Sequence, residues 1–509
     1  MLRLLTNIPL SGHIILLVLI PLLRLPTFNL DFLPTEESFL LMVAQRLAEG
    51  GNLYTDAWFA GPPVMVWIYY FFVKVFGTYA LLAIRIAACV YIYFSAIYFN
   101  GIILEHRIFR NYIGLKILLF ALMVSLPWYA QEVNASLFVL LPITISFHAF
   151  SQMGEDPWAN YRLMFRSGVW MMICILATYK AVFILLGLLI AYVWLKKSRA
   201  DEFLSLVGGM SVVLLVLAGI LFFNESFKDF WDVGVLFYLD RINIRLTGIY
   251  HYDTLASVLA WGVLWAPVII LGIIGFFHFR IRFFSYITKI RSLELSMAVW
   301  FVGVIFVLIF KTRRLELADF ILMVPPLAFY AGKIFDFNLA YRLRIILVIL
   351  ILAVPAYQYF TYWGIVSNLM PNAFKPSTEY KIFHGGYLST LTGEGILDGF
   401  SPPRKIENGI WVMDYQPQIY QVLGATVANK YTDFRIVFYK FPEFEKPDGF
   451  KLISKMETNK EIYIAFSENP PEYIVDPNDY FPRLQDRFPM LFGGYRLIDG
   501  GRYKIYEKN

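Results

Sequence analysis

Apolar runs recur along this chain at lengths close to the hydrocarbon core of a bilayer, which takes about 17 to 25 helical residues, and they constrain the fold more than any other feature. Candidate spans fall at 8–27, 80–104, 112–130, 135–151, 167–178, 181–195, 204–223, 254–277, 293–310, 318–335 and 345–363, about eleven in all. In lipid every backbone N–H and C=O must be satisfied within its own segment, so such runs are expected to be helices. Composition agrees: 58% of the 509 residues are hydrophobic and 16% charged, whereas a soluble domain carries about a quarter charged residues. The run at 8–27 has no small-residue cleavage site and reads as a retained first span. Runs 167–178 and 181–195 are short, and the Thr178-Tyr179-Lys180 between them reads as a tight turn at one face.

Residues 62–77, PPVMVWIYYFFVKVFG, are apolar but begin with two prolines and end with glycine. That length suits an interfacial or re-entrant helix better than a crossing. Basic residues decide the count. If 62–77 does not cross, one side receives Arg107, Arg110, Arg162, Arg166, Lys196, Lys197, Arg199, Arg280, Arg282, Lys289, Arg291, Arg342 and Arg344. The positive-inside rule makes that side cytoplasmic. The other side receives a large first loop at 28–79, the turn 131–134, Lys180, the loop 224–253 and the turn 311–317.

An odd number of spans places the chain beyond the transmembrane module 1–363 outside the cytoplasm. There charges and prolines return, and GIWVMDY, FRIVFYKF, EIYIAF, EYIVD and YKIYEK look like strands with helical stretches between some of them. The expectation is therefore a polytopic α-helical membrane protein with a small extracytoplasmic α/β domain at 364–509. Cys89 and Cys174 both lie in apolar runs, which argues against a disulfide framework, and the six histidines form no HxxxH or HExxH pattern. No metal and no cofactor is expected. The net charge of +6 is small for this length and concerns topology rather than nucleic acid.

The outer side holds the unusual residues. PTEESFLLMVAQRLAEGG reads as a helix with Thr35 as N-cap, and acids in its first turn, Glu36 and Glu37, complement the helix dipole. Asp56 reads as a turn residue after NLY. Glu132 lies in the short second outer turn, and Lys180 reads as an interfacial anchor. In KTRRLELADF, Lys311, Arg313 and Arg314 break the charge rule. They either snorkel, pair with Glu316 and Asp319, or hold an anion such as the phosphate of a lipid carrier. The loop at 224–253 carries Arg241, Arg245 and His251 among aromatics and is longer than a turn requires.

In these motifs the chain resembles the polytopic glycosyltransferases of GT-C fold that use polyprenyl-phosphate sugars, above all bacterial relatives of protein O-mannosyltransferase and of the lipid A aminoarabinose transferase. The family pattern DE..Y...A..L..G...Y.D.....PP, followed by FG.....R, is matched by Glu36-Glu37, Phe39, Ala44, Leu47, Gly50, Tyr54, Asp56, Pro62-Pro63, Phe76-Gly77 and Arg85. TYKAVFILLGLL resembles the later outer-loop lysine segment, and RRLELADFILMVPPLAFYAG the late R....Y.L...P.LA segment. QPQIYQVLGATVANKYTDF and PEYIVD are similar to the small C-terminal domain of bacterial members. Three positions depart: Glu36 replaces an aspartate, Gly61 replaces the lysine of aminoarabinose-type relatives, and Ser136 stands where many relatives carry an acid.

The resemblance implies a chemistry. Glu36 would be the base on an acceptor hydroxyl, with Glu37 as supporting acid and Asp56 nearby. Lys311, Arg313, Arg314 and Lys180 would face the lipid phosphate, with Arg85 and Glu132 as further substrate contacts; Arg241, Arg245 and His251 join these candidates because their loop is longer than a turn requires. It implies a hexosyl- or pentosyltransferase of mannosyltransferase type in a bacterial inner membrane, with its site toward the periplasm or exterior. Its partners would be a lipid-linked sugar donor, a lipid, glycan or protein acceptor, and membrane lipids. A transporter or flippase of lipid-linked sugars would want ionisable residues inside the spans and repeat symmetry, and the chain shows few of the first and no repeat. A non-enzymatic envelope assembly protein is the remaining reading.

Overall fold

The computed structural model describes residues 10–28, 32–104, 113–125, 131–154, 156–196, 200–239, 261–263, 265–283, 297–305, 317–336, 340–367, 379–384, 387–392, 406, 409–413, 417–432, 459–477, 479–499 and 504–509. Helical residues stand at each of the eleven expected apolar positions. Two helical stretches among the described residues, Val64–Leu104 and Ala200–Phe223, are long and apolar enough to cross a membrane, and shorter apolar helices include Leu10–Leu23, Ala181–Ile190 and Ala266–Phe277. Only 22% of the Ala200–Phe223 window is buried, so most of its apolar side chains face outward, as lipid-facing residues do. The stretch Val64–Leu104 has 41 residues, about 60 Å of helix, too long for one crossing. It breaks at Gly77, where φ is 54°, into the helix Val64–Phe76, one 3-10 turn, and the helix Ala80–Leu104.

Two expectations for the spans change. The helix expected at 167–178 runs from Pro157 to Ala177, because Asp156 accepts the Trp158 N–H and Pro157 starts the first turn. Asn160 in that added turn donates to Glu202 at 3.0 Å. The run 318–335 is not one α-helix. It opens as a seven-residue 3-10 helix, Leu317–Met323, continues as the α-helix Val324–Lys333 and closes as a 3-10 turn. Pro325 and Pro326 supply no N–H, so they fit the first α-helical turn and nothing earlier.

The chain divides into two compact units: residues 1–28, 85–217 and 251–371, and residues 29–84, 218–250 and 372–509. This grouping differs from a division at residue 363, because the first loop clusters with the C-terminal residues. In the first unit, glycines let backbones touch. A Cβ on Gly168 would sit 2.1 Å from the Leu206 carbonyl oxygen, and one on Gly209 2.1 Å from that of Phe165. At these glycines the helices Pro157–Ala177 and Ala200–Phe223 therefore touch backbone to backbone, a packing that replaces the hydrophobic force absent in lipid.

The second unit holds two sheets. Strand β1 (Phe32–Pro34) pairs parallel with β2 (Glu379–His384), which pairs antiparallel with β3 (Tyr387–Thr392). The other sheet has the order β4-β5-β7-β6, with β4 (Ile410–Val412) parallel to β5 (Tyr473–Asp476) and β7 (Lys504–Lys508) antiparallel to both β5 and β6 (Tyr495–Asp499). GIWVMDY, EYIVD and YKIYEK thus contribute strands, while FRIVFYKF lies outside the described residues. EIYIAF is a helix, Asn459–Glu468, not a strand. Its alternation is too short to fix a period, and the Phe466 ring packs edge-on against Trp411 at 4.6 Å while Pro470 and Pro471 end the helix.

Buried tyrosines tie this unit together. Tyr495 donates to the Pro471 carbonyl at 2.6 Å, and the Tyr420 hydroxyl accepts the Val412 N–H at 3.0 Å. Burial raises the Tyr420 and Tyr495 phenols above their usual range. Burial, reinforced by Glu507 and Glu472, pushes Tyr473 up to about 12, and burial, reinforced by Asp476 and Asp479, pushes Tyr506 to about 12.

Two outcomes follow. Gly209→Val lowers the thermal stability of the purified protein by about 1–3 kcal/mol, whereas Gly219→Ala, whose Cβ meets open space within a helix, does not lower it. The unfolded tyrosines release protons near pH 10 while the folded ones keep them, so stability falls as pH rises from 10 toward 12. Circular dichroism of the purified protein's unfolding from pH 8 to 12 should show no loss below pH 9.

Candidate functional site

The helix Thr35–Ala48 carries the first candidate group. Pro34, in extended conformation, stands at its N-cap and no side chain caps it, so the expected role of Thr35 is corrected. Thr35 is already helical, and its hydroxyl accepts from Gln418 Nε2 at 2.7 Å. One turn on, Ser38 donates to Gln421 Oε1 at 3.3 Å while Gln421 Nε2 donates to the Ser38 carbonyl at 3.2 Å. Gln418 and Gln421 are three residues apart on the helix Gln418–Val422, so they share a face and hold the face of Thr35 and Ser38. Glu36 and Glu37 point elsewhere around the axis, about 100° apart. Glu37 is buried and Glu36 half-buried. Both acids lie at the helix start, where the macrodipole favours negative charge.

Asp56 closes the next turn. Its carboxylate accepts the Asn52 N–H at 2.8 Å, and the Asp56 N–H returns to the Asn52 carbonyl at 2.9 Å. Tyr54 inside the turn has φ 74°, which costs a bulky residue free energy. The fully buried ring packs edge-on against Phe230 at 5.2 Å, and the hydroxyl donates to the Gly61 carbonyl at 2.7 Å. Phe230 belongs to a π-helix, Phe230–Phe237. A Cβ on its Gly234 would meet the Tyr54 ring at 2.9 Å. Thr55 adds a hydrogen bond to Asp229 at 3.3 Å.

Beyond the turn, the Trp58 N–H donates to the Lys430 carbonyl at 2.9 Å, and the Thr432 hydroxyl donates to the Trp58 carbonyl. Lys430 Nζ sits 5.1 Å over the Trp58 ring. The first loop is thus held at its strand, its helix and Trp58 by residues from 379 onward.

The first compact unit contains a second candidate group. Thr178 is extended and Tyr179-Lys180 form the expected turn. Lys180 Nζ meets Asp319 Oδ1 at 2.6 Å, with the Lys180 side chain 15% exposed and that of Asp319 0%. The Ser136 hydroxyl donates to the same oxygen at 2.9 Å. Asp319 pairs with Lys180, and its expected pairing with the arginines of its loop involves residues outside those described.

Arg85 is also fully buried. Its Nη1 donates to the Thr27 carbonyl at 2.6 Å, Thr27 donates to the Arg24 carbonyl at 2.7 Å, and Arg24 Nη2 donates to the Gln131 carbonyl at 2.6 Å. Gln131 Nε2 donates to the carbonyls of Leu23 and Ser125 at 3.0 and 2.6 Å. The Leu23, Thr27 and Ser125 carbonyls stand at helix ends, where the helix itself supplies no donor. Glu132 follows in the same turn and is half-buried.

Lys311, Arg313, Arg314, Arg241, Arg245 and His251 lie outside the described residues. Among the described residues no group of three His, Cys, Asp or Glu could hold a metal ion. Sequence reading did not single out Gln418, Gln421, Arg24 or Asp319 as site residues. Asp319 left a signal: it occupies the tyrosine position of R....Y.L...P.LA counted from Arg314.

The solved structure of ArnT from Cupriavidus metallidurans bound to undecaprenyl phosphate is similar to this chain over 98% of each, with a TM-score of 0.57 and 14% identity. The apo state of that ArnT matches 97% of this chain and 98% of its own length at the same TM-score, with 13% identity. The chain has the GT-C fold. In keeping with that membrane α-helical fold, the described residues are mostly helical. No family model matches the sequence, and no curated protein matches it. AglB from Archaeoglobus fulgidus, with an inhibitory peptide and dolichol-phosphate, covers 91% of this chain and 69% of its own at 11% identity and a TM-score of 0.49, too low to carry an argument.

Replacing both Gln418 and Gln421 by alanine removes the clamp on the acidic helix. Hydrogen exchange over residues 35–41 should rise, and stability should fall by about 1–3 kcal/mol.

Proposed function

We propose that this GT-C protein is a glycosyltransferase of a bacterial inner membrane that moves a hexosyl or pentosyl unit from a polyprenyl-phosphate donor to a hydroxyl of a lipid, glycan or protein acceptor. The observation that carries the reading is the end-to-end likeness to ArnT, a structure solved with undecaprenyl phosphate. In this reading the chain crosses the membrane about eleven times, and the first loop and the C-terminal residues face the periplasm or exterior.

Glu36 is the base. Its half-burial leaves the carboxylate a route to an acceptor, whereas Glu37 is fully buried and serves as the supporting acid. Asp56 shapes the loop through the Asn52 turn. The acceptor proton passes to Glu36 as the acceptor oxygen bonds to the anomeric carbon from the face opposite the phosphate. The C–O bond to the phosphate breaks with its electron pair on oxygen, so the sugar is transferred with inversion. Lys180, Lys311, Arg313 and Arg314 balance the charge gathering on the leaving phosphate, with Arg241, Arg245, His251, Arg85 and Glu132 completing the contacts to the substrates or their supports. Metal is not part of this mechanism.

Glu36→Gln should reduce transfer from polyprenyl-phosphate sugars by about 10²–10⁴-fold with unfolding temperature unchanged. Glu37→Gln should cost more stability than Glu36→Gln. Undiminished transfer by Glu36→Gln would move the base to another acid. A wild-type protein that carries lipid-linked sugars across vesicles and forms no glycosidic bond would overturn the reading in favour of a flippase.

A further inference from the structure

Lys180, Asp319 and Ser136 form a group whose arrangement says more than that a lysine is present. Lys180 Nζ and the Ser136 hydroxyl converge on one oxygen, Asp319 Oδ1, at 2.6 and 2.9 Å. Asp319 and Ser136 are both buried. Asp319 stands in the 3-10 helix Leu317–Met323, whose Leu322 carbonyl accepts the Trp300 indole N–H at 3.0 Å. The carboxylate therefore sits on an anchored backbone. Lys180 sits in a turn, at the end of a flexible four-carbon stem.

Given the proposed function, we infer that Asp319 is a positioning residue that competes with the carrier phosphate for Lys180, so that the spent carrier is held loosely enough to leave. The donor is a phosphodiester with one negative charge. After transfer the carrier is a phosphomonoester of about −1.5 to −2. Sheltered from water, a lysine given wholly to that phosphate would hold the product more tightly than the donor. A fixed carboxylate on the same ammonium opposes this bias.

Ser136 is the second part of the device. When Lys180 turns to the phosphate, the serine hydroxyl remains on Asp319 Oδ1 and keeps the buried carboxylate hydrogen-bonded, which lowers the cost of releasing the lysine. Removing Asp319's charge and removing Ser136's hydroxyl should therefore act in opposite directions. A purely structural role would make both substitutions act in the same direction.

The test measures binding of undecaprenyl phosphate to the full-length protein in nanodiscs, together with single-turnover and steady-state transfer. Lys180→Met should weaken binding. Asp319→Asn, which keeps the side-chain shape, should tighten it about tenfold and slow steady-state turnover more than the single turnover. Ser136→Ala should weaken binding about threefold. If Lys180→Met binds as the wild type does, the assignment of Lys180 to the phosphate fails and the competition with it. If Lys180→Met weakens binding but Asp319→Asn does not tighten it, or Ser136→Ala does not weaken it, the competition alone is overturned.

Discussion

Backbone carbonyls at helix ends have no partner of their own, and away from water the side chains must supply one. The first compact unit depends on this. Arg24, Arg85 and Gln131 reach the carbonyls of Gln131, Thr27, Leu23 and Ser125, joining the end of the first apolar helix to the end of the helix Ile113–Ser125 and to the turn at 131–134. Each donor is a residue whose burial without a partner would be costly, so donors and acceptors resolve each other's problem. The glycine crossings meet the same constraint in another way: where they touch, the helix backbones gain dispersion contacts that apolar surroundings do not otherwise provide.

In the second unit the organising interaction is between segments far apart in sequence. The first loop is held by contacts to residues far along the chain. Its strand pairs with β2, Thr35 and Ser38 are held by Gln418 and Gln421, and Trp58 bonds to the backbone and hydroxyl of residues 430–432. The left-handed Tyr54 is strained by itself and is held by a buried ring contact with Phe230 and a hydrogen bond to Gly61. The C-terminal residues thus support the acidic loop as well as forming a sheet of their own. An acid on a helix clamped on another face has a defined direction, which a flexible loop does not provide.

Much of this was legible before any coordinates. Apolar length located the helices, because satisfaction of the backbone in lipid leaves no other regular structure. The acids at 36 and 37 and the turn at Lys180 were visible as departures from what a connecting loop requires. The errors share a cause. EIYIAF was read as a strand because six residues fit either period, and the contact of Phe466 with Trp411 decided for helix. Run 318–335 was read as one helix because hydropathy does not distinguish a 3-10 turn from an α-turn. Thr35 was given the cap because its residue type favours it, although Gln418 claims its hydroxyl.

The sequence by itself determined the environment, the class of secondary structure and the short list of acids and cations, since these follow from side-chain solubility and local spacing. Only the tertiary structure decided how those groups are buried and paired. It buried Glu37 and left Glu36 partly open, turned Asp56 to its own loop, and gave Lys180 to a carboxylate 139 residues away, with Ser136 on the same oxygen. Pairing across such separations depends on which backbones approach each other, and local composition carries no record of that.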